Sequence, residues 1–309
     1  MKSIRPPRLH AGDKIGVIAP ASNVKPELLE PGIRLLNKMG YETVYAPDIF
    51  TQDLYFAGTA DRRLAELNAM MKRSDIQAIL CARGGYGANH LLTRIDFEKF
   101  RQHPKIFMGY SDITSLLTAI TDRTGLITFH GPMAAKDFAT LEAIDFPSWH
   151  NSVGGIGEWN VPTDKAEVLR PGHAQGRLYG GCLTMLTASL DTPFAIQTED
   201  TILFIEDVST KPYQIDRMLM QLRLAGKLDR VQGMVFGEML HCTQPEGQNY
   251  TLPQVIMRVL EQFEGPVIYG VKSGHVSGRN ITLPIGVQAD LTAEGGRATL
   301  RVMEAATEA

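Results

Sequence analysis

The sequence predicts an α/β protein: a mostly parallel N-terminal sheet flanked by helices, joined to a second, smaller mixed α/β domain. Three observations carry this. Short apolar runs of strand type alternate with segments whose apolar residues recur at helical spacing. The alternation fades between Lys136 and Gln175, where Gly154, Gly155, Gly157, Pro162, Pro171 and Gly172 accumulate. The chain has 309 residues, enough for about two ordinary domains. These divide it into an N-terminal domain over 1–145, a connecting segment over 146–175 and a C-terminal domain over 176–309.

The elements follow in order. Lys14 to Ala19 (KIGVIA) reads as a strand, and Pro26 to Met39 as a helix that stops at Gly40. Glu42 to Ala46 is a second strand, Asp61 to Arg73 a helix, Ile76 to Ala82 a third strand and Lys105 to Met108 a fourth. The next helix carries Ile113, Leu116, Leu117 and Ile120 on one face and closes at Gly125. Such alternation implies crossover units and a buried parallel sheet. In these sheets ligands gather beyond the carboxyl ends of the strands. In the second half, Thr201 to Glu206 (TILFIE) is a buried strand, and a helix starting at Pro212 carries Ile215, Met218, Leu219 and Leu222. Val231 to Phe236 is a strand, Pro253 opens a helix reaching Phe263, and short β-type runs follow at Val267 to Val271, Ile281 to Leu283 and Ala298 to Val302. No repeat is present.

Composition excludes several function classes. Apolar residues make up 44% and charged residues 21%, with 31 basic against 34 acidic side chains and a net charge of −3. Long disorder needs the opposite balance, and a nucleic-acid partner wants a basic surface. No apolar run approaches the ~18 residues of a membrane span. Pro6 and Pro7 interrupt the basic N-terminus, and no apolar stretch of a secretory signal follows. Cys81, Cys182 and Cys242 form neither a disulfide framework nor a metal-binding pair. The expectation is a cytoplasmic, reduced protein without metal or cofactor.

Four short motifs hold the chemistry-bearing residues. In Gly109-Tyr110-Ser111-Asp112, the serine falls between a buried strand and a helix. A serine there is lifted above the sheet, and the N–H of the next residue points where an oxyanion would form. The second glycine of G-x-S-x-G is replaced by Ile113, and either Ser111 or Asp112 could instead cap the helix. Arg83-Gly84-Gly85-Tyr86-Gly87 lets the backbone approach a ligand closely or form an anion nest, or it is a tight turn. It is neither a dinucleotide fingerprint nor a P-loop. Glu206 ends a strand apolar on both faces, so it calls for a partner: a histidine or a basic residue, with Asp207 as a competing acid. His275 lies in a loop, Ser273-Gly274-His275-Val276-Ser277-Gly278-Arg279, poor in core-forming residues. His130, in Phe129-His130-Gly131-Pro132, is open to a structural reading.

Taken together, RGGYG, GYSD, FIED and GHVSGRN, in that order, resemble the L,D-carboxypeptidase family of serine peptidases, which includes murein tetrapeptide carboxypeptidases and microcin-immunity peptidases. The resemblance runs from KIGVIAPAS at Lys14 to LPIG at Leu283. It implies an N-terminal domain like that of class I glutamine amidotransferases. It places the nucleophile on Ser111, the glutamate on Glu206 and the histidine on His275. The oxyanion donors fall on the N–H groups of Asp112 and of a glycine in the RGGYG turn, Gly85 before its neighbours. Recognition of a terminal carboxylate would fall to Arg83 or Arg279. The implied reaction is release of D-Ala from a murein tetrapeptide through an acyl-enzyme, by a cytoplasmic homodimer that needs no cofactor. The alternatives are a peptidase cleaving peptidyl-nucleotides, in which Trp149 or Trp159 would stack on the base, and a non-catalytic muropeptide-binding protein.

Overall fold

The computed structural model describes residues 3–308. The first half contributes β1 (Lys14–Ile18), α1 (Pro26–Lys38), β2 (Glu42–Tyr45), α2 (Ala60–Lys72), β3 (Ile76–Cys81), α3 (Glu98–Gln102), β4 (Ile106–Gly109), α4 (Thr114–Thr124) and β5 (Thr128–His130). Then come α5 (Phe146–Val153), β6 (Trp159–Val161), β7 (Glu167–Arg170), β8 (Gly172–Cys182), α6 (Leu183–Ala188), β9 (Thr201–Glu206), α7 (Pro212–Leu224) and β10 (Gly233–Gly237). The chain finishes with α8 (Leu252–Val259), β11 (Val267–Val271), β12 (Leu283–Ile285), β13 (Gln288–Glu294) and β14 (Arg297–Val302).

Two sheets form. The first has six strands in the order β12-β5-β4-β3-β1-β2, all parallel except β12, which runs antiparallel to β5. Strand periodicity sorts its side chains. Ile15 and Val17 of β1 pack with Leu29 and Leu36 of α1 on one face. Ile18 joins Leu67 and Met70 of α2 and Leu116, Leu117 and Ile120 of α4 on the other. Both faces are therefore covered, as a parallel sheet requires.

The second sheet is mixed, as expected, but it is the larger: eight strands in the order β6-β14-β13-β8-β9-β10-β11-β7. Its centre, β8 to β11, is parallel; β13, β14, β6 and β7 add antiparallel edges. Leu203 and Ile205 of β9 face α7 and α8 through Ile215, Leu219, Leu222 and Ile256. Ile202 and Phe204, pointing the other way, share one apolar cluster with Phe129 and Leu283 of the first sheet. That shared cluster fixes the spacing of the two sheets.

The segment 146–175, read from sequence as a connector, folds into α5, β6, β7 and the first residues of β8. Both tryptophans are buried there, Trp149 in an edge contact with Phe138. No helix among the described residues is long and apolar enough to cross a membrane.

Candidate active site

The segments that follow β3, β4 and β5 in one sheet, and β11 in the other, converge on one cavity of about 420 Å³. Its lining includes Arg83, Gly84, Gly85, Ser111, Lys136 and His275.

Ser111 follows β4 in the left-handed region, at φ 64°. A non-glycine residue there is strained, and strained turns between strand and helix are how a nucleophile is raised above a sheet. The residues 111–113 form a short 3-10 turn that runs into α4. Neither Ser111 nor Asp112 caps that helix, whose N-cap is Ile113 with no side-chain bond. The missing second glycine of the motif has a compensation: a Cβ at Gly109 would lie 2.9 Å from Cγ2 of Ile113, so the first glycine makes room for the isoleucine.

Asp112 points its side chain away from the helix and into the neighbouring turn. Its Oδ2 accepts from the Ala88 N–H at 2.7 Å, with the Gly87 N–H close enough to favour the charged form. Burial pushes its carboxyl up to about 6, against the lowering pull of these N–H groups and of Arg63. Arg63 is itself buried and donates to the carbonyls of Pro20 and Gly87 at 2.8 and 2.7 Å. Ser22 completes the cradle, its Oγ accepting the Tyr86 N–H at 3.0 Å. The turn therefore spends the N–H groups of residues 86 and 88 on structure. Those of Gly84, Gly85 and Asp112 have no partner among the described residues. Gly85 sits at φ 98° against Ser22, where any side chain would collide with the serine hydroxyl.

Glu206, at the end of β9, is fully buried. Its Oε2 lies 2.8 Å from Nδ1 of His275 and accepts the His275 backbone N–H at 3.0 Å. Burial alone would push the glutamate up; the imidazoles of His130 and His275 outweigh it and hold the carboxyl at about 2. The competing acid, Asp207, is spent elsewhere. It accepts from the N–H and hydroxyl of Thr184 at 3.0 and 2.8 Å, at the start of α6. The His275 loop is pinned by Asn280, whose Oδ1 accepts the Gly274 N–H at 2.9 Å and whose amide reaches Asp137 at 3.3 Å.

Ser111 and His275 thus face one cavity with Glu206 behind the imidazole, and Gly85 and Arg83 line the same space. Among the described residues no hydrogen bond joins Ser111 to His275; catalytic bonds often tighten only in the Michaelis complex. Arg83 donates to the Asn23 carbonyl at 3.1 Å while lining the cavity. Arg279 is exposed and outside the lining; the two buried tryptophans lie outside it as well. Two residues have a place at the site that the sequence reading did not assign. Lys136 lies 5.1 Å from the centre of the Tyr110 ring, and its only signal was a cation just after a strand end. His130 lies against Glu206, and only its place at a strand end hinted at that.

Comparison with known proteins places the chain in a family. Residues 15–131 match the model of the LD-carboxypeptidase N-terminal domain, and residues 175–291 that of the LD-carboxypeptidase C-terminal domain. A Bacillus subtilis (strain 168) protein named "Probable murein peptide carboxypeptidase" is 40% identical over 297 residues, covering 94% of this chain and 92% of its own. The microcin C7 self-immunity protein MccF of Escherichia coli is 30% identical over 315 residues, 91% of this chain and 90% of its own. The crystal structure of muramoyltetrapeptide carboxypeptidase from Oxalobacter formigenes superposes with a TM-score of 0.83 at 28% identity, over 94% of this chain and 99% of that one.

Proposed function

The chain belongs to the LD-carboxypeptidase family, and from that premise we propose that it is a serine peptidase that removes the terminal D-Ala from murein tetrapeptide. The observation that carries this is the 2.8 Å contact of His275 Nδ1 with Glu206, on a ring that shares its cavity with Ser111.

In this reading Nε2 of His275 takes the hydroxyl proton as Ser111 attacks the carbonyl before the terminal residue. Glu206 holds the ring in the required tautomer and balances the charge it gains. The oxyanion forms against the N–H groups of Asp112 and Gly85, typically worth ~3 kcal/mol each. Their lack of other partners supports that assignment. His275 then gives its proton to the leaving amine. Water, deprotonated by the same ring, attacks the acyl-enzyme and frees Ser111. Arg83 and Lys136 supply cationic groups for the substrate's terminal carboxylate, Arg83 with bidentate geometry available.

Incubation with murein tetrapeptide should release D-Ala, read by mass spectrometry, and Ser111→Ala should abolish the release without unfolding the protein. Turnover of a peptidyl-adenylate instead would favour the peptidyl-nucleotide reading, and binding without turnover of either would favour a muropeptide-binding protein. The reading includes a cytoplasmic homodimer, which sedimentation and cell fractionation test.

A further inference from the structure

The two oxygens of Glu206 are unequally served. Oε2 holds His275 through two contacts, at 2.8 and 3.0 Å. Oε1 has no hydrogen-bond partner among the described residues. Facing it at 3.7 Å is Nε2 of His130, fully buried and also without a partner. His130 ends β5 of the first sheet, whereas Glu206 ends β9 of the second.

Counting hydrogens fixes the state of this ring. The Ser273 hydroxyl has one proton and lies 2.7 Å from the Ile281 carbonyl oxygen. A carbonyl only accepts, so the serine donates there. Its oxygen then accepts from Nδ1 of His130, 3.0 Å away. With Nδ1 carrying a proton, a neutral ring would aim the Nε2 lone pair at a carboxylate oxygen, in a place closed to solvent. One further proton between the two atoms removes that conflict. A Cβ at Gly274 would lie 2.7 Å from Cδ of Glu206 and 2.8 Å from Cε1 of His130, so glycine lets the loop close over the pair.

We propose that His130 is a positioning residue, an imidazolium that clamps the second oxygen of Glu206 so that the first holds His275 in the orientation and tautomer that accept the Ser111 proton. The inference rests on the triad reading above. It also assigns the glutamate charge to two rings rather than one. The other titratable groups facing the pair are Tyr110, whose ring centre is 5.9 Å from that of His130 and 5.1 Å from that of His275, and Cys182, paired in register with Glu206. Burial pushes both well above their ordinary values, so they stay neutral. Asp137 approaches the Tyr110 hydroxyl at 3.4 Å and Asp207 the Cys182 thiol at 3.9 Å; Lys136 lies over the tyrosine ring.

The test compares His130→Gln, which can offer an amide N–H but no charge, with His130→Ala, which offers neither. Rates on murein tetrapeptide are measured across pH, beside thermal unfolding and 15N NMR of the imidazoles. The alanine variant should lose roughly 10- to 100-fold in kcat with KM little changed, and the glutamine variant should recover most of it. In both, the acid limb of kcat/KM should move up by roughly one pH unit, because His275 then answers to the whole glutamate charge. The NMR spectrum of the unmodified protein should show both His130 nitrogens protonated at neutral pH. A bare Nε2 in that spectrum, or an alanine variant with kcat and acid limb unchanged, overturns the proposal. Should the alanine variant not fold, the glutamine variant and the spectrum decide alone. Full activity in Ser111→Ala would instead overturn the triad reading, a failure seen on a different variant.

Discussion

A Cβ on Gly84 would lie 2.8 Å from Cβ of Ser111 and 3.1 Å from its hydroxyl oxygen. The turn after β3 and the turn after β4 therefore touch at Ser111, the proposed nucleophile, with no atom to spare. Gly84→Ala should push the two turns apart by a few tenths of an ångström or more and displace the serine from the N–H groups proposed as oxyanion donors. We expect roughly a 100-fold loss in kcat/KM, with folding retained by circular dichroism. An alanine variant of full activity would show that the contact has slack.

The strain at Ser111 should be recoverable as stability. An L-residue in the left-handed region costs about 1–2 kcal/mol, and glycine offsets part of the gain through its freer unfolded chain. Ser111→Gly should abolish hydrolysis yet unfold at a higher temperature than Ser111→Ala, by an amount equivalent to roughly 0.5–1 kcal/mol. Equal melting temperatures for the two inactive variants would mean that the turn stores no strain.

Asp112 gives a pH signature of defined sign. Its folded carboxyl titrates at about 6, above the ordinary 3.8. The folded protein thus binds the extra proton, so this contribution is full below 3.8 and is lost as pH rises through about 6. Asp112→Asn should flatten the fall in melting temperature between pH 4 and 7, by on the order of 2 kcal/mol. Calorimetry over that range reads it directly; an unaltered slope would remove Asp112 from the pH response.

Asp122 of α4 accepts the hydroxyl of Tyr179 on β8 at 2.6 Å, with Arg177 at 3.6 Å. Burial raises this carboxyl to about 6 as well. Tyr179→Phe would strip a buried carboxylate of its shortest bond and should cost about 1–3 kcal/mol at pH 7.5. The cost should shrink below pH 6, where the acid is protonated. Denaturant titration at the two pH values separates this from simple loss of packing, which would be the same at both.

Much of this molecule could be read from residue order alone. The first sheet was visible because each strand is a short apolar run and each helix keeps its spacing, as with Ile113, Leu116, Leu117 and Ile120. The second sheet hid better. Its longest strand, β8, reads GHAQGRLYGGC, with four glycines and few β-branched residues, so propensity gave no sign of it. It is a strand because residues 177–182 pair with β9 on one side and residues 172–177 with β13 on the other. Short strands such as β6 and β7 lie in the segment whose glycines and prolines read as a connector. At the site, residues announced by short motifs could be named in advance. The roles of His130 and Asn280 could not, since they depend on atoms of distant elements, Glu206 and Asp137.

The strand β12 has a consequence for how the polypeptide comes apart. It lies near the end of the chain yet completes the rim of the first sheet beside β5. A protease nicking the chain near Gly155 would leave two fragments still stitched together through that strand. Residues 1–145 made alone would instead expose the bare flank of β5, inviting self-association. Supplying the remaining polypeptide in trans should cover that flank, so split halves of this protein are expected to complement each other where either alone precipitates.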